Sequence, residues 1–299
     1  PILKINDAPM ACASGEAMTP LILATQGMGA DPAKMAVFMY VSAGLCAEDR
    51  ALENELRYLR ASRANMIEEA QDARINQKRW AAVAARRQQE AYNRFVERFE
   101  KEFKFKIGGT CPTLREDFDK IVYLVGLTAG MQAIVNDSAA QGVVGVPKDI
   151  AAIVERGMTC LDNAEYWGVP MATRAAVWSL LPGASDGKPD PFAVMKDSTR
   201  VGERKGVRIA HAIYALAAQA KGDEALLRDA LKTYGASANM AVNPQYRFLD
   251  ALGGMMVQTI SDRYWTEKTG TRTPEDGYTK FWDDKPSAES TGISIDDLL

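Results

Sequence analysis

The chain has 299 residues, and its hydrophobic fraction of 47% and charged fraction of 25% are ordinary for a globular protein. Its formal net charge of -3 gives no general attraction to nucleic acid, so nucleic-acid binding is not expected. No apolar run reaches the ~18 residues that a membrane-spanning helix needs, so the most apolar stretches, 36–47 and 121–135, are expected to be core helices.

The longest helical signal runs over residues 33–105, which contain no proline and one glycine. As a single helix this stretch would be about 110 Å long at 1.5 Å per residue, so we expect a break near residues 47–49 and a second near 72–76. Arg63 and Gln77 interrupt its apolar stripe, which argues against a long coiled coil. The stripe predicts a face packed on a core, and its members are Leu52, Leu56, Leu59, Met66, Ala70, Ala73, Trp80, Ala84, Ala91, Phe95 and Phe99.

Turn signals divide the rest of the chain into shorter helices. Gly108, Gly109 and Pro112 predict a turn over residues 107–113, and the next helix is expected over residues 114–136. Later helices are predicted over residues 148–164, 170–181, 201–221, 223–234 and 244–268, with the clearest surface loop at 182–191. The helix over 201–221 is expected to be broken or entered near Gly206.

Strand patterns are scarce, because short β-branched runs such as residues 143–146 lie among glycines. The sequence therefore predicts an all-α fold with essentially no sheet, either a multi-helix bundle or an irregular array of helical hairpins with TPR-like packing. We expect a single helical domain over residues 1–284 and a polar C-terminal tail over residues 285–299.

Two glycines interrupt the apolar helix predicted over residues 114–136. Gly126 and Gly130 are four residues apart, which places them on one helix face. Small residues there favour the close approach of another helix backbone, whereas the alternative is a space opened for a ligand.

The four cysteines allow two interpretations. An even number of cysteines suits two disulfides in an oxidising compartment, with Cys12 paired to Cys46 and Cys111 paired to Cys160. The alternative is four buried thiols. A zinc site is not expected, because the cysteines lack CxxC spacing and the chain has one histidine.

The chain has one candidate acid–base group with a pKa near neutral, His211, which lies in an apolar helical segment. This placement favours a buried structural histidine over a catalytic one. Phosphate-binding glycine loops, a GxSxG elbow and Glu-x-x-His pairs are absent from the sequence. We therefore expect no catalytic residue, no metal and no cofactor, although an enzyme that uses His211 remains an alternative.

Methionine and aromatic residues are concentrated in the central third of the chain, where they suit either an ordinary core or an adaptable apolar pocket. For a pocket, the polar head of a ligand would need a buried partner. Asn136, Asp137 and His211 are the candidates for that role, although capping is the usual role of Asn136 and Asp137. The residues predicted to line the pocket are Tyr123, Leu127, Met131, Ile134, Met158, Trp167 and Trp178.

Three central segments resemble a known family: GLTAGMQAIVND (126–137), QGVVGVPKDIAAIVERGMTCLDN (141–163) and YWGVPMATRAAVWSLLPG (166–183). They are similar to the T component of periplasmic TRAP-type transport systems, and most of all to its relatives in bacterial sterol trafficking. The resemblance implies an all-helical periplasmic protein, in some members attached to the outer membrane by a lipid anchor. It also implies a cavity that passes an apolar ligand, in the sterol branch a methylated sterol, between partner proteins. These partners would be a periplasmic binding protein or an inner-membrane transporter.

Two functional hypotheses follow from the sequence. The first is a lipid carrier that binds a sterol-like molecule in an internal cavity lined from the central third of the chain. The second is a helical adaptor that docks a transporter subunit and binds no small molecule.

Overall fold

The structure is a computed structural model, and it describes residue 4 and residues 7–181 and 183–284. These residues form ten α-helices and no β-strand, which confirms the all-α prediction. The tail predicted from residue 285 onward lies outside the described residues. The helices are α1 (Ala8–Ala24), α2 (Ala33–Arg63), α3 (Ile67–Phe103), α4 (Asp117–Ala139), α5 (Ile150–Gly157), α6 (Val169–Leu180), α7 (Pro191–Lys205), α8 (Ile209–Lys221), α9 (Glu224–Ala236) and α10 (Arg247–Thr269).

Helices α2 and α3 fold back on each other as one long hairpin. The predicted breaks at residues 47–49 and 72–76 are both wrong, because the chain turns once, at residues 64–66. Asn65 makes the turn in a left-handed conformation (φ 55°), which asparagine tolerates better than most residues. An ion pair between Arg57 and Glu69 spans it. Most of the predicted stripe is buried, but Met66 lies in the turn and is exposed.

Helix α4 runs through the centre of the fold and packs against α2, α3 and α5. By length and composition alone it could cross a membrane, yet more than half of its most apolar window is buried inside the protein, as in a core helix. Its two glycines are packing positions: a Cβ at Gly126 would overlap the Phe95 ring, and one at Gly130 would lie 2.7 Å from Tyr92 Cδ2. Aromatic rings of α3, not a helix backbone, therefore occupy this face.

In the C-terminal half, the interruption expected near Gly206 is confirmed. The predicted helix over 201–221 is two helices, α7 and α8, which separate at Gly206 (φ 76°). Helix α7 begins inside the predicted surface loop, because Pro191 takes the first helical position and Asp190 caps it by accepting a hydrogen bond from the Phe192 amide (2.9 Å). The helix predicted over 148–164 is shorter than expected, since α5 ends at Gly157 in a single turn of 3-10 helix.

Two disulfides join neighbouring elements, Cys12 to Cys46 and Cys111 to Cys160, with Cα atoms 5.2 Å apart in each pair. The first ties α1 to α2, and the second ties the α3–α4 connection to the turn after α5. The structure therefore contains the two disulfides of the first sequence interpretation, and the alternative of four buried thiols is wrong.

Candidate functional site

An apolar cavity of about 180 Å³ lies between α4, α6, α8 and α10. Its wall is built from hydrophobic side chains with few polar interruptions. Because small molecules bind in concave sites lined mostly by apolar side chains, it is a candidate binding site. The residues that define it include Ile121, Leu124, Met131, Val169, Leu216 and Met256.

The mouth of this cavity lies where three helices end. Val135, Leu180 and Ala220 line the cavity and are exposed to solvent, and they belong to the last turns of α4, α6 and α8. The inner wall, in contrast, is formed by buried residues such as Trp167 and Ala217. A ligand can therefore enter between the three helix ends and reach the interior.

A second cavity of about 170 Å³ adjoins the first, between α2, α3, α4 and α10. The two cavities share four lining residues, Gln132, Val135, Leu216 and Met256. Unlike the first, the second cavity is lined by carboxyl and amide side chains as well as by aliphatic ones. Together they form a site with an apolar part and a polar end.

The polar end is a hydrogen-bonded cluster of Glu48, Gln88, Gln132 and Asn136, which we call the amide–carboxyl cluster. Glu48 Oε1 accepts hydrogen bonds from Gln88 Nε2 (2.7 Å) and Asn136 Nδ2 (2.6 Å). Asn136 Nδ2 also lies 2.8 Å from Gln88 Oε1, and Gln88 Nε2 lies 3.4 Å from Gln132 Oε1. Helices α2, α3 and α4 each contribute to the cluster, so their mutual packing fixes its geometry.

Glu48 is a carboxyl group without a compensating cation. Burial raises the pKa of Glu48, and the hydrogen bonds from Gln88 and Asn136 oppose this shift only in part. Within the described part of the chain no lysine or arginine forms an ion pair with it, and the nearby Arg263 is paired to Glu55 (2.6 Å). A partly buried carboxyl group without a cation costs stability, so Glu48 is a candidate for contacting a bound molecule.

Two further polar atoms in the cavity walls lack partners. Gln77 Oε1 in the second cavity and Thr173 Oγ1 in the first are buried and form no hydrogen bond with the described residues. Most buried polar atoms in folded proteins are paired, so each unpaired one needs a physical explanation. A ligand that supplies the missing hydrogen bonds is one such explanation.

Local backbone features shape both parts of the site. Gly44 of α2 makes room for Gln88, since a Cβ at this position would lie 3.1 Å from Gln88 Cγ. Trp167 and Gly168 both take left-handed conformations (φ 55° and 78°), and this turn directs the chain so that Trp167 reaches the first cavity. Left-handed backbone is unfavourable for tryptophan, and such strain is common where a side chain is held for binding.

Of the seven residues predicted to line a pocket, the structure places Met131 and Trp167 in the wall of the first cavity. The other five lie elsewhere. Tyr123, Leu127 and Met158 are fully buried in the core between α3, α4 and α5, where facing side chains fill the space. Ile134 packs against that same core. Trp178 lies outside the cavity and donates a hydrogen bond to Glu155 Oε1 (2.9 Å).

The three residues predicted to bind a ligand's polar head have different roles in the structure. Asn136 belongs to the amide–carboxyl cluster and lines the second cavity. Asp137 instead accepts hydrogen bonds from the Val144 and Val146 amides, both 2.9 Å, and so holds the loop after α4. His211 lines neither cavity: its Nε2 lies 3.0 Å from Glu203 Oε1, and burial lowers its pKa. Only Asn136 can therefore contact a ligand in this site.

Sequence reasoning missed Glu48, Gln77, Gln88 and Gln132. A signal was present, because three of them are glutamines at positions where the helical period predicts apolar residues. Gln88, for example, lies four residues after Ala84 and is fully buried. Polar residues in core register are expected to meet one another or a ligand, since leaving them unpaired is costly.

Replacing Glu48 by glutamine is expected to raise the free energy of unfolding at neutral pH by roughly 1–3 kcal/mol, because it removes an uncompensated carboxylate and keeps an acceptor oxygen. Burial raises the pKa of Glu48 above its ordinary 4.5. The wild type therefore loses stability as pH rises from the pKa of Glu48 in the unfolded chain to its higher pKa in the folded protein. The gain should therefore be absent below about pH 4 and grow as pH rises. Urea unfolding over this range measures it, and a loss of stability at neutral pH would contradict the interpretation.

No family model matches the chain, and neither a curated protein nor a solved structure matches it.

Proposed function

We propose that this protein binds and carries an apolar small molecule, a sterol-like lipid, in the two adjoining cavities. The observation that supports this most directly is the apolar cavity that opens between the ends of α4, α6 and α8 and adjoins the amide–carboxyl cluster. Such a site can bury the apolar body of a ligand and pair its polar head. The apolar contacts provide the driving force, roughly 25 cal/mol per Å² of apolar surface removed from water.

The volumes of the cavities constrain how such a ligand lies. Sites for drug-sized molecules begin at about 300 Å³, and neither cavity reaches that size alone. A polycyclic ligand would therefore span both, with its body in the apolar cavity and its head near Glu48. The side chains of Met131 and Met256 lie in the wall and are flexible enough to adjust to its shape.

The resemblance to the T component of TRAP-type systems and to sterol-trafficking proteins supports a place for this carrier in the periplasm. Two disulfides are compatible with an oxidising compartment of that kind. In this proposal the carrier passes its ligand to or from a periplasmic binding protein or an inner-membrane transporter. Attachment to the outer membrane through a lipid anchor is part of the same proposal.

The direct test is to purify the full chain from its native source or a lipid-rich host, extract it with organic solvent and identify the bound molecules by mass spectrometry. We expect a lipid at near-stoichiometric yield. Titration of the delipidated protein with a fluorescent sterol should give saturable binding. Absence of both an extractable lipid and saturable binding would exclude the carrier function.

Ala176 lines the apolar cavity, and its replacement by leucine is expected to fill part of the space that a ligand needs. Affinity for a fluorescent sterol should fall at least about tenfold, equivalent to ~1.4 kcal/mol. The free energy of unfolding should stay the same or rise, because filling a cavity adds contacts. The matched control is Ala236→Leu, an exposed position on α9, which should leave the affinity unchanged. Equal affinities in the two variants would place the ligand elsewhere.

A helical adaptor is the second candidate function, and the tip of the α2–α3 hairpin favours it. Met66, Ile67 and Ile75 are each at least half exposed there, beside a shallow groove that Tyr58 also lines. Exposed apolar patches of this kind often contact partner proteins. Stoichiometric capture of a transporter subunit by a protein that contains no lipid would support the adaptor over the carrier.

A further inference from the structure

The second cavity offers hydrogen-bond acceptors to its occupant. Glu48 uses Oε1 for its two hydrogen bonds, and Oε2 accepts none from the described residues. Gln77 Oε1 is buried in the same wall and also lacks a donor. Both oxygens can accept a hydrogen bond, so a polar head that reaches this wall pairs with Glu48 and Gln77 when it brings donor hydrogens.

The charges around this cavity disfavour an anion. Its ionisable lining residues are Glu48, Asp49, Glu55 and Arg263, three carboxyl groups and one guanidinium. Arg263 is engaged, since it lies 2.6 Å from Glu55 Oε2 and 2.7 Å from Gln219 Oε1. An anionic head placed beside Glu48 would therefore meet a like charge without a free cation in the wall.

We propose that the site selects amphiphiles whose polar head donates hydrogen bonds and carries no negative charge, with Glu48 as the residue that determines this specificity. A hydroxyl and a primary ammonium group both meet this requirement, whereas carboxylates and phosphates do not. The inference rests on the proposed carrier function and adds the class of head group. Gln88 and Asn136 act as positioning residues, because their amides hold Glu48 Oε1 and so orient the carboxyl group.

The test compares three ligands with the same apolar chain and different heads: decanol, decylamine and decanoate. At neutral pH the amine is a cation and the acid is an anion. Each is titrated against delipidated full-length protein that holds the neutral fluorescent probe N-phenyl-naphthylamine. Decanol and decylamine should displace the probe at concentrations about tenfold or more below that of decanoate. Decanoate binding as tightly as decanol would overturn the proposal.

The variant Glu48→Gln should remove this selectivity. Decanoate should bind more tightly than it does to the wild type, and decylamine should bind about tenfold more weakly, since a carboxylate–ammonium interaction is lost. Glu97→Gln, on the exposed face of α3, is the matched control and should leave the order of the three ligands unchanged. An unchanged order in a folded Glu48→Gln variant would overturn the role of Glu48.

Failure of this inference differs from failure of the carrier function. If the wild type binds the probe and has the same affinity for all three ligands, the protein is a carrier that does not select the head group. If neither the probe nor any ligand binds, the carrier function itself is wrong. The wild-type series decides between these outcomes even where the Glu48 variant does not fold.

Discussion

Replacing Cys111 and Cys160 together by serine is expected to lower the free energy of unfolding by about 4 kcal/mol, the largest stability effect that we anticipate for this protein. The bond closes a loop of 49 residues, and removing a constraint of that length increases the conformational entropy of the unfolded chain. Urea unfolding under oxidising conditions, with mass spectrometry to verify the remaining disulfide, measures the difference.

Reductant supplies the control for this result. The wild type in reductant should be less stable than the double variant without reductant. Reductant also opens the Cys12–Cys46 bond, which closes a loop of 34 residues and stays intact in the untreated variant. In the wild type Arg156 Nε donates a hydrogen bond to the Gly108 carbonyl (2.9 Å), so we expect α5 and the α3–α4 connection to remain in contact in the variant. Equal stability of the oxidised wild type and the double variant would contradict the expected contribution of this disulfide.

The second large effect is expected for Gly126→Ala, which should lower the free energy of unfolding by about 3 kcal/mol. Alanine is favoured over glycine in a helix interior by about 1 kcal/mol, so propensity alone predicts the opposite sign. The added Cβ, however, would overlap the ring of Phe95, which is fully buried and closely surrounded by Phe99 and Tyr123. Chemical unfolding of the variant measures which effect is larger.

A double-mutant cycle identifies the cause. In a Phe95→Leu background the smaller side chain leaves room for a methyl group, so Gly126→Ala should cost much less there than in the wild type. Gly27→Ala is the control, because nothing beyond its chain neighbours and its own helical turn lies within 4 Å of the Cβ position. It should change stability by a few tenths of a kcal/mol at most. Equal costs of Gly126→Ala in both backgrounds would show that the ring is not responsible.

These stability predictions and the proposed site concern the same helix. One face of α4 presents Gly126 and Gly130 to the rings of Phe95 and Tyr92, which closes that side of the core. Another presents Met131 and Val135 to the cavities. The close packing on the first face fixes the position of α4, and with it the cavities that border the second face.

The variant Glu48→Gln distinguishes effects on folding from effects on binding, since it is expected to stabilise the protein and to alter ligand selection.

The sequence alone was sufficient for the class of fold and for most helices. Helical periodicity identified residues 33–105 as amphipathic helix, although not its division into α2 and α3, because a repeating apolar stripe is a local property. The position of the turn between them was not predictable, since Asn65 is a weak signal beside the glycines and prolines that mark other turns. The first part of α7, residues 191–200, was missed for a similar reason: its N-terminal proline resembled the end of a loop.

The candidate site was decided by tertiary structure. Periodicity indicates that a residue faces inward, but it does not indicate whether the space it faces is filled or empty. Tyr123 and Met131 share α4 and similar apolar character, yet the first is enclosed by aromatic rings and the second borders a cavity. Likewise Glu48 and Asn136 are 88 residues apart, and only the packing of α2 against α4 brings them within hydrogen-bonding distance. A cavity depends on how side chains from distant helices fit together, which no local pattern in one chain specifies.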